Sequence, residues 1–311
     1  MHPRLTSRTL LGHPVPPIAI GCAPLGNMPE TFDYEVPEDS ALSTIRAALD
    51  SSLPWLDTAA KYGDGESERR IGTVLKERGG LPPQAMLDTK IGADPGGDYR
   101  ADTVRRRLER SLDLLGLDRL ELVFLHDPEV STFEEITAAG GPLDALCDYR
   151  DQGVIGHLGV AGGPIDLMTR YVETGIFEAA ITHNRYTLLE RSADPLLTLC
   201  HERGIPILNA APYGSGILAK GPATYPRYEY GRASDATLQM AFAVESICNR
   251  HNIPLAAAAL QFSLRDPRIT ATIVGMSRPE RIDETITLAS IDIPDDCWQE
   301  IDDATHGRRQ R

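Results

Sequence analysis

The 311-residue chain has few cysteines, and they show neither metal-site nor disulfide-framework spacing. The five cysteines are odd in number, lie far apart and include no CxxC pair. The eight histidines contain no HxH or HxxxH pair, so the sequence predicts no metal site. Unpaired, scattered cysteines are typical of a reducing compartment, and we expect a cytoplasmic protein.

Long hydrophobic runs are also missing. No segment approaches the roughly 20 apolar residues that a membrane-spanning helix needs. Residues 1–17 contain no apolar core of signal-peptide length. We therefore expect no membrane partner.

Positive charge is in short supply. The chain has 31 basic and 45 acidic side chains, a net charge of -14, which disfavours binding to nucleic acid. The one basic run, Arg105 to Arg107, lies inside a helical pattern and reads as a solvated helix face. The hydrophobic content of 41% is ample for a buried core. The expected partner is a small molecule, and the oligomeric state stays open.

What the sequence does contain is a regular alternation of apolar strands and amphipathic helices. Without an internal repeat or low-complexity tract, residues 1–311 are expected to form a single domain with the (β/α)8 TIM-barrel fold. An N-terminal β-hairpin over Arg4–Val15 is expected to close the bottom of the barrel. The eight predicted strands are Ile18–Gly21, Trp55–Thr58, Ala85–Lys90, Leu120–His126, His157–Val160, Ala179–His183, Pro206–Ala210 and Thr270–Gly275.

Helices are predicted between these strands. A doubly wound dinucleotide-binding fold is the rival, because Gly214–Ala219 matches the pattern GxGxxA after a strand. The residues that follow, Lys220–Pro226, cannot open the helix that this pattern requires, which favours the barrel. The predicted helices are Ser40–Asp50, Ser67–Arg78, Ala101–Leu115, Pro142–Gln152, Ile165–Thr174, Pro195–Arg203, Thr237–Asn252 and Pro279–Ala289.

Polar residues close several of the apolar strands, at the end of a barrel where active sites lie. Asp57, Lys90 and His126 each end a strand pattern, and Tyr62 follows Asp57 in the next loop. A buried Asp57–Lys90 pair would keep the lysine charged, and an ammonium beside a phenol favours its ionisation. Tyr62 would then serve as an acid or base near neutral pH.

The same residues carry a family resemblance. Asp57–Gly72, DTAAKYGDGESERRIG, resembles the signature DTAxxYGxGxSExxxG of the aldo-keto reductases. Thr89–Gly92 resembles the family's TKxG, Ala211–Leu218 its SPLxxGxL loop, and Ile273–Arg281 its last cofactor-binding turn. The resemblance extends from Arg8 to about Leu288.

This resemblance implies an NAD(P)-dependent oxidoreductase that moves a hydride to or from a carbonyl carbon. Tyr62 would transfer the proton, Lys90 with Asp57 would tune it, and His126 would orient the substrate oxygen. NAD or NADP would lie extended across the barrel mouth, with its pyrophosphate on a glycine-rich loop. The cofactor-binding residues implied are Gly21, Cys22, Ala23, Asn184, Ala211, Tyr213, Gly214, Ser215, Gly216, Leu218, Gly275, Met276, Ser277, Arg281 and Glu284.

The chain departs from the family pattern at two places. Ala161-Gly162 replaces the Ser-Asn pair that holds the nicotinamide carboxamide, and His183 or Asn184 is our candidate for that contact. Gly275 stands where NADP-preferring members carry lysine, which leaves Arg281, with Arg278 as a second candidate, for a 2′-phosphate.

The stretch His183–Leu189 resembles the branch that contains aldose or fucose 1-dehydrogenases and pyridoxal dehydrogenases. It implies oxidation of an aldose at C1 to the lactone. Tyr225, Tyr228 and Tyr230 are candidates for the wall of a sugar pocket. The alternatives are an aldehyde or ketone reductase, and a regulatory subunit that binds cofactor without fast turnover.

Overall fold

The computed structural model describes residues 5–229 and 231–306, which form a closed barrel of eight parallel strands. Each strand pairs with the next along the chain, and the last strand pairs with the first. The barrel strands are Ile18–Gly21, Trp55–Asp57, Met86–Gly92, Leu120–His126, Ile155–Gly162, Ala179–His183, Ile207–Ala210 and Ile269–Gly275. The (β/α)8 prediction is confirmed, and every predicted strand end lies within two residues of the observed one.

Helices surround the barrel, and all eight predicted helices are present. They are Glu38–Asp50, Glu66–Arg78, Ala101–Leu115, Pro142–Asp151, Ile165–Glu173, Asp194–Glu202, Asp235–Arg250 and Glu280–Ser290. Sequence patterns missed two long helices, Leu255–Leu264 and Asp295–His306. Short helical turns occupy loops, and they are Pro24–Gly26, Pro29–Phe32, Pro128–Val130, Phe133–Ile136, Gly214–Gly216 and Ile217–Lys220. The last of these ends at Lys220, so the GxGxxA match opens no long helix.

The predicted hairpin is present and closes the bottom of the barrel. Arg8–Leu10 pairs with His13–Val15 in antiparallel register. Leu10 and Val15 are buried in one cluster with the inward-facing residues of the barrel strands. Arg4, where the predicted hairpin begins, lies outside the described residues.

The barrel wall separates two apolar layers. Inside, a small cluster with residues from all eight barrel strands includes Trp55, Phe124 and Leu208. Outside, side chains such as Leu56 and Val123 pack against the helices in a much larger cluster. Consecutive strand residues point to opposite faces. A polar residue on the inner face is therefore held within the barrel and cannot reach bulk solvent through the barrel wall.

The helix Glu66–Arg78 packs closely on Ala101–Leu115 through a glycine. Acidic residues occupy its first turn, Lys76 and Arg78 its last, and Gly79 ends it in the left-handed conformation. At Gly72 an added Cβ would lie 1.9 Å from the carbonyl oxygen of Leu114. The helices therefore approach each other more closely than any side chain at this position permits.

We predict that Gly72→Ala lowers the free energy of unfolding by about 1–3 kcal/mol, because the backbone must move to admit the methyl group. Glycine to alanine within a helix ordinarily stabilises, so the sign is diagnostic. Urea denaturation would measure the change, with Lys76→Ala, an exposed position of the same helix, as the control. Unchanged or increased stability would contradict the close approach.

Candidate active site

Four polar side chains meet at the mouth of the barrel, as the sequence predicted. The ammonium nitrogen of Lys90 lies 2.6 Å from Oδ2 of Asp57 and donates to the Tyr62 hydroxyl at 3.2 Å. It also donates to the carbonyl oxygen of Thr58 at 2.8 Å. The ring of His126 meets that of Tyr62 edge to face, with the centroids 5.9 Å apart. The ammonium nitrogen therefore lies within 3.2 Å of three oxygen atoms.

The position of Tyr62 is fixed by backbone packing rather than by its side chain alone. Gly63 has a φ of 61°, and a Cβ there would lie 2.0 Å from the carbonyl oxygen of Gly26. Only glycine combines this conformation with this contact. The loop that carries Tyr62 is thereby held against the loop that follows the first barrel strand.

Burial and neighbouring charges set the protonation states at this mouth. Burial disfavours the Lys90 ammonium, but the surrounding acidic groups, Asp57 first among them, together outweigh it and raise the pKa of Lys90 above its usual range. Burial lowers the pKa of His126 to about 3, so its imidazole is neutral at physiological pH. The cluster thus holds one permanent cation beside a phenol and a neutral hydrogen-bonding ring.

A further acid lies one layer deeper in the barrel. Asp88 is fully buried, and its Oδ1 accepts a hydrogen bond from the indole nitrogen of Trp55 at 2.6 Å. The strand register places it beside Asp57. Burial, together with the charge of Asp57, raises the pKa of Asp88 well above its usual range. The protonated, neutral form of the Asp88 carboxyl group is therefore favoured inside the barrel.

We predict that the free energy of unfolding of Asp88→Asn, relative to that of the native protein, increases as the pH rises. A raised pKa in the folded state means that the folded chain binds a proton that the unfolded chain has released above about pH 4, so native stability falls as pH rises. Asparagine can still accept from Trp55 and removes this dependence. Urea denaturation at several pH values between about 4 and 8 would measure the difference. A constant difference would contradict a neutral Asp88, and Asp113→Asn on an exposed helix position is the matched control.

The four side chains open into a cavity of about 730 Å³. Its lining is more basic than the protein as a whole, with five cationic side chains against two carboxylates. In a chain of net charge -14, this local excess favours an anionic ligand. The cationic residues are Lys61, Lys90, Lys220, Arg278 and Arg281, and the carboxylates are Asp57 and Asp127.

The residues implied as cofactor contacts divide into two groups. Nine line the cavity: Gly21, Ala23, Ala211, Tyr213, Ser215, Gly216, Gly275, Ser277 and Arg281. The other six lie outside this lining: Cys22, Asn184, Gly214, Leu218, Met276 and Glu284. Cys22, Leu218 and Met276 are fully buried in the apolar core. The first group surrounds the space in which an extended ligand would lie.

The loop after the seventh barrel strand has the geometry of an anion cradle. Ala211, Gly214, Ser215 and Gly216 all have positive φ, a conformation that anion-binding loops use, and the amides of Gly214 and Gly216 donate within the loop to the carbonyl oxygens of Ala211 and Tyr213. The hydroxyl of Tyr213 is buried beside it and has no hydrogen-bond partner among the described residues. A phosphate-bearing ligand would satisfy both features, so these residues fit a dinucleotide.

Two guanidinium groups that line the cavity share one carboxylate. Oε1 of Glu284 accepts from Arg278 at 2.8 Å, and its Oε2 accepts from Arg281 at 3.2 Å. Arg278 also lies 3.6 Å from Glu280. Any phosphate bound beside these arginines would have to compete with Glu284 for them.

The candidates for the carboxamide contact are separated by the structure. His183 lines the cavity, whereas Asn184 is 2% exposed and lies behind it. The two side chains approach to 3.4 Å between Nδ2 of Asn184 and Nδ1 of His183. A Cβ at Gly162 would lie 3.0 Å from Oε2 of Glu129 and from Sδ of Met168, so both side chains would have to shift to admit a side chain there.

The tyrosines of the long loop have different surroundings. Tyr225 lines the cavity, and its hydroxyl donates to Asp33 at 3.3 Å, across the groove. Arg227 forms an ion pair with the same carboxylate. Tyr228 instead donates to the carbonyl oxygen of Asn184 at 2.9 Å. Tyr230 lies outside the described residues.

Three charged residues of the cavity, Lys61, Asp127 and Lys220, were not singled out from the sequence. Lys61 lies within the tyrosine motif, and Asp127 directly follows His126. Their side chains form an ion pair of 2.8 Å between Nζ and Oδ2. The strand-end rule that found His126 would have found Asp127 one residue later. Asp127 also shares a cluster with Glu129 and His183, in which one potential ligand atom from each lies within 4.8 Å of the others.

The aldo/keto reductase family model matches residues 17–306, which is most of the chain. The chain belongs to the aldo/keto reductase family. Its members are oxidoreductases that use a nicotinamide dinucleotide, and we assign the same general activity to this family member. Within residues 5–229 and 231–306, no helix has the length and apolar character to cross a membrane.

Individual relatives agree with the family assignment. D-threo-aldose 1-dehydrogenase of a Pseudomonas species is 31% identical over 320 residues, covering 94% of this chain and 95% of that protein. Pyridoxal 4-dehydrogenase of Microbacterium luteolum is 26% identical, covering 96% and 97% respectively. The fold is similar to the holo form of an aldo-keto reductase from Bacillus halodurans, with a TM-score of 0.76, 20% identity and 96% of each chain covered.

Proposed function

We propose that the chain oxidises an aldose at C1 to the lactone with a nicotinamide dinucleotide as hydride acceptor. The observation that carries the proposal is the contact of the Lys90 ammonium with both Asp57 and the Tyr62 hydroxyl at the mouth of the cationic cavity. Likeness to an aldose 1-dehydrogenase over nearly the whole chain supports the choice of substrate.

In this proposal Tyr62 removes the proton from the anomeric hydroxyl. The adjacent ammonium of Lys90 stabilises the phenolate form, and Asp57 keeps that ammonium charged. The neutral imidazole of His126 donates a hydrogen bond to the substrate oxygen and holds the reacting carbon in place. The nicotinamide supplies the hydride acceptor when bound.

In this proposal, part of the cavity lining binds the nicotinamide dinucleotide. Ala211, Tyr213 and Ser215 would hold the pyrophosphate through backbone amides and the buried Tyr213 hydroxyl, and Gly216 would line the same loop. His183 is our candidate for the carboxamide contact, because it lines the cavity where Asn184 does not.

We infer that NAD+ is preferred over NADP+. Glu284 already occupies Arg278 and Arg281 and places a negative charge where a 2′-phosphate would bind. A ribose hydroxyl, in contrast, can donate to that carboxylate. Gly275 supplies no cation in compensation.

The proposed activity is tested by following reduced nicotinamide with NAD+ or NADP+ and a panel of aldoses and pyridoxal. The reverse assay uses NADH or NADPH with aldehydes. Oxidation of an aldose supports the proposal, and turnover only with aldehydes would replace it with a reductase. A protein that binds cofactor but turns over neither panel would be a regulatory subunit.

Tyr62→Phe is expected to reduce kcat by at least about 100-fold, because it removes the group that transfers the proton. Cofactor affinity should stay near normal, since the ring and its packing remain. Steady-state kinetics and cofactor titration by fluorescence would measure the two effects. Retention of more than a tenth of the activity would contradict the assigned role, and circular dichroism controls for folding.

Glu284→Gln is expected to raise the ratio of kcat/KM for NADP+ over NAD+ by about tenfold or more. The change removes a repulsive charge and frees two guanidinium groups, and a charge-assisted hydrogen bond contributes about 1.5–3 kcal/mol. Glu280→Gln is the matched control, because Glu280 is on the same helix and lies farther from Arg278, at 3.6 Å. An unchanged ratio would show that the adenosine end of the cofactor binds elsewhere.

A further inference from the structure

Asp127 lies in the cavity on the side of His126 and has no part in the proton transfer proposed above. It follows His126 directly and is held by a hydrogen bond of 2.8 Å from its backbone amide to the carbonyl oxygen of Ala161. Its φ of 46° is left-handed, which turns its side chain away from the strand direction that His126 follows. The carboxylate is therefore fixed at the mouth of the barrel and does not belong to the wall.

The carboxylate of Asp127 is paired with a flexible cation. The Lys61 ammonium lies 2.8 Å from the carboxylate, and the side chains of Lys61 and Asp127 are 58% and 22% exposed, respectively. Burial opposes ionisation, but the neighbouring imidazole of His126 and the Lys61 ammonium, together with His183, outweigh it and lower the pKa of Asp127 to about 2. Asp127 thus offers only hydrogen-bond acceptors and Lys61 only donors, so a substrate hydroxyl beside the pair can donate to the first and accept from the second.

The spacing from His126 indicates which hydroxyl would fit. Nε2 of His126 lies 3.5 Å from Oδ1 of Asp127. The oxygen on the reacting carbon would bind at His126 and Tyr62. A hydroxyl on the neighbouring carbon then falls beside Asp127, because vicinal oxygens are separated by about one hydrogen-bond length.

We propose that Asp127 and Lys61 form a subsite for the hydroxyl group on the carbon next to the reacting carbon, so that the substrates are 2-hydroxy aldoses and 2-hydroxy aldehydes. This inference rests on the proposed function. The hydroxyl donates to Asp127 and accepts from Lys61, and both residues position the substrate without contacting the transferred proton. A substrate without this hydroxyl leaves the ion pair intact but forgoes the hydrogen bonds to it, and therefore binds in a less defined orientation.

A metal ion is the competing occupant of this place. Asp127, Glu129 and His183 have the ligand types for one. Two contacts favour the hydroxyl: the Lys61 ammonium already lies on Asp127, and Oε1 of Glu129 accepts from the backbone amide of Gly163 at 3.1 Å. A divalent cation would have to displace the first and compete with the second.

The experiment compares substrate pairs that differ only in the 2-hydroxyl. D-Arabinose with 2-deoxy-D-ribose and D-galactose with 2-deoxy-D-galactose serve for oxidation, and lactaldehyde with propanal serves for reduction. Each pair is assayed with the native protein, Asp127→Ala, Asp127→Asn, Lys61→Met and Lys61→Arg. Glu77→Gln, from the exposed Arg46–Glu77 pair, controls for a change of surface charge. Cofactor affinity is measured for every variant.

We expect the native protein to prefer the hydroxylated member of a pair by about 10–100-fold in kcat/KM, the range of one charge-assisted hydrogen bond. Asp127→Ala should remove this preference by lowering kcat/KM for the hydroxylated substrate alone. Asp127→Asn and Lys61→Arg should retain part of it, Lys61→Met should retain less, and Glu77→Gln should leave it unchanged. Cofactor affinity should be the same throughout.

Three results would overturn the subsite. The first is an unchanged preference in Asp127→Ala. The second is an equal loss for both members of a pair, which would indicate a general structural role. The third is native activity that chelation abolishes and Zn²⁺ or Mn²⁺ restores. Absence of turnover by the native protein with every pair would instead reject the proposed function, and this inference with it.

Discussion

The buried ion pair between Lys90 and Asp57 is the interaction on which the site depends. Both side chains are only 3% exposed, and two charges removed from water are costly unless geometry and hydrogen bonding compensate. Here the ammonium reaches a carboxylate, a carbonyl oxygen and a phenol. The third contact couples the charge of Lys90 to Tyr62. The phenol that accepts this hydrogen bond from the ammonium is also the group that can ionise.

The closed barrel supplies what this ion pair needs. Neighbouring strands hold Asp57 and Lys90 on the inner face, and the register places Asp88 beneath them beside Asp57. Trp55 fills the adjacent interior position and satisfies one oxygen of Asp88. With the hairpin over the bottom, the interior is closed from below, and the charged layer meets solvent only through the mouth.

Much of the fold could be predicted because the strands are buried on both faces and read as continuous apolar runs. The helix Leu255–Leu264 could not, since it is apolar on nearly every side and lacks the period that marks a surface helix. The four residues at the mouth followed from strand ends and a specific motif. Asp88 and the pairing of Lys61 with Asp127 did not, because the first depends on inner-face register and the second on a left-handed residue.

The contact between Gly63 and Gly26 separates two kinds of sequence constraint. Tyr62 is placed by backbone atoms of two loops, whereas the cavity beyond it is shaped by side chains such as Lys61, Asp127 and His183. Substitutions in the second set can alter which molecule is held without moving the phenol. The same scaffold can therefore diverge in specificity while its chemistry is conserved, and the two glycines are positions where a substitution would displace the loop that carries Tyr62.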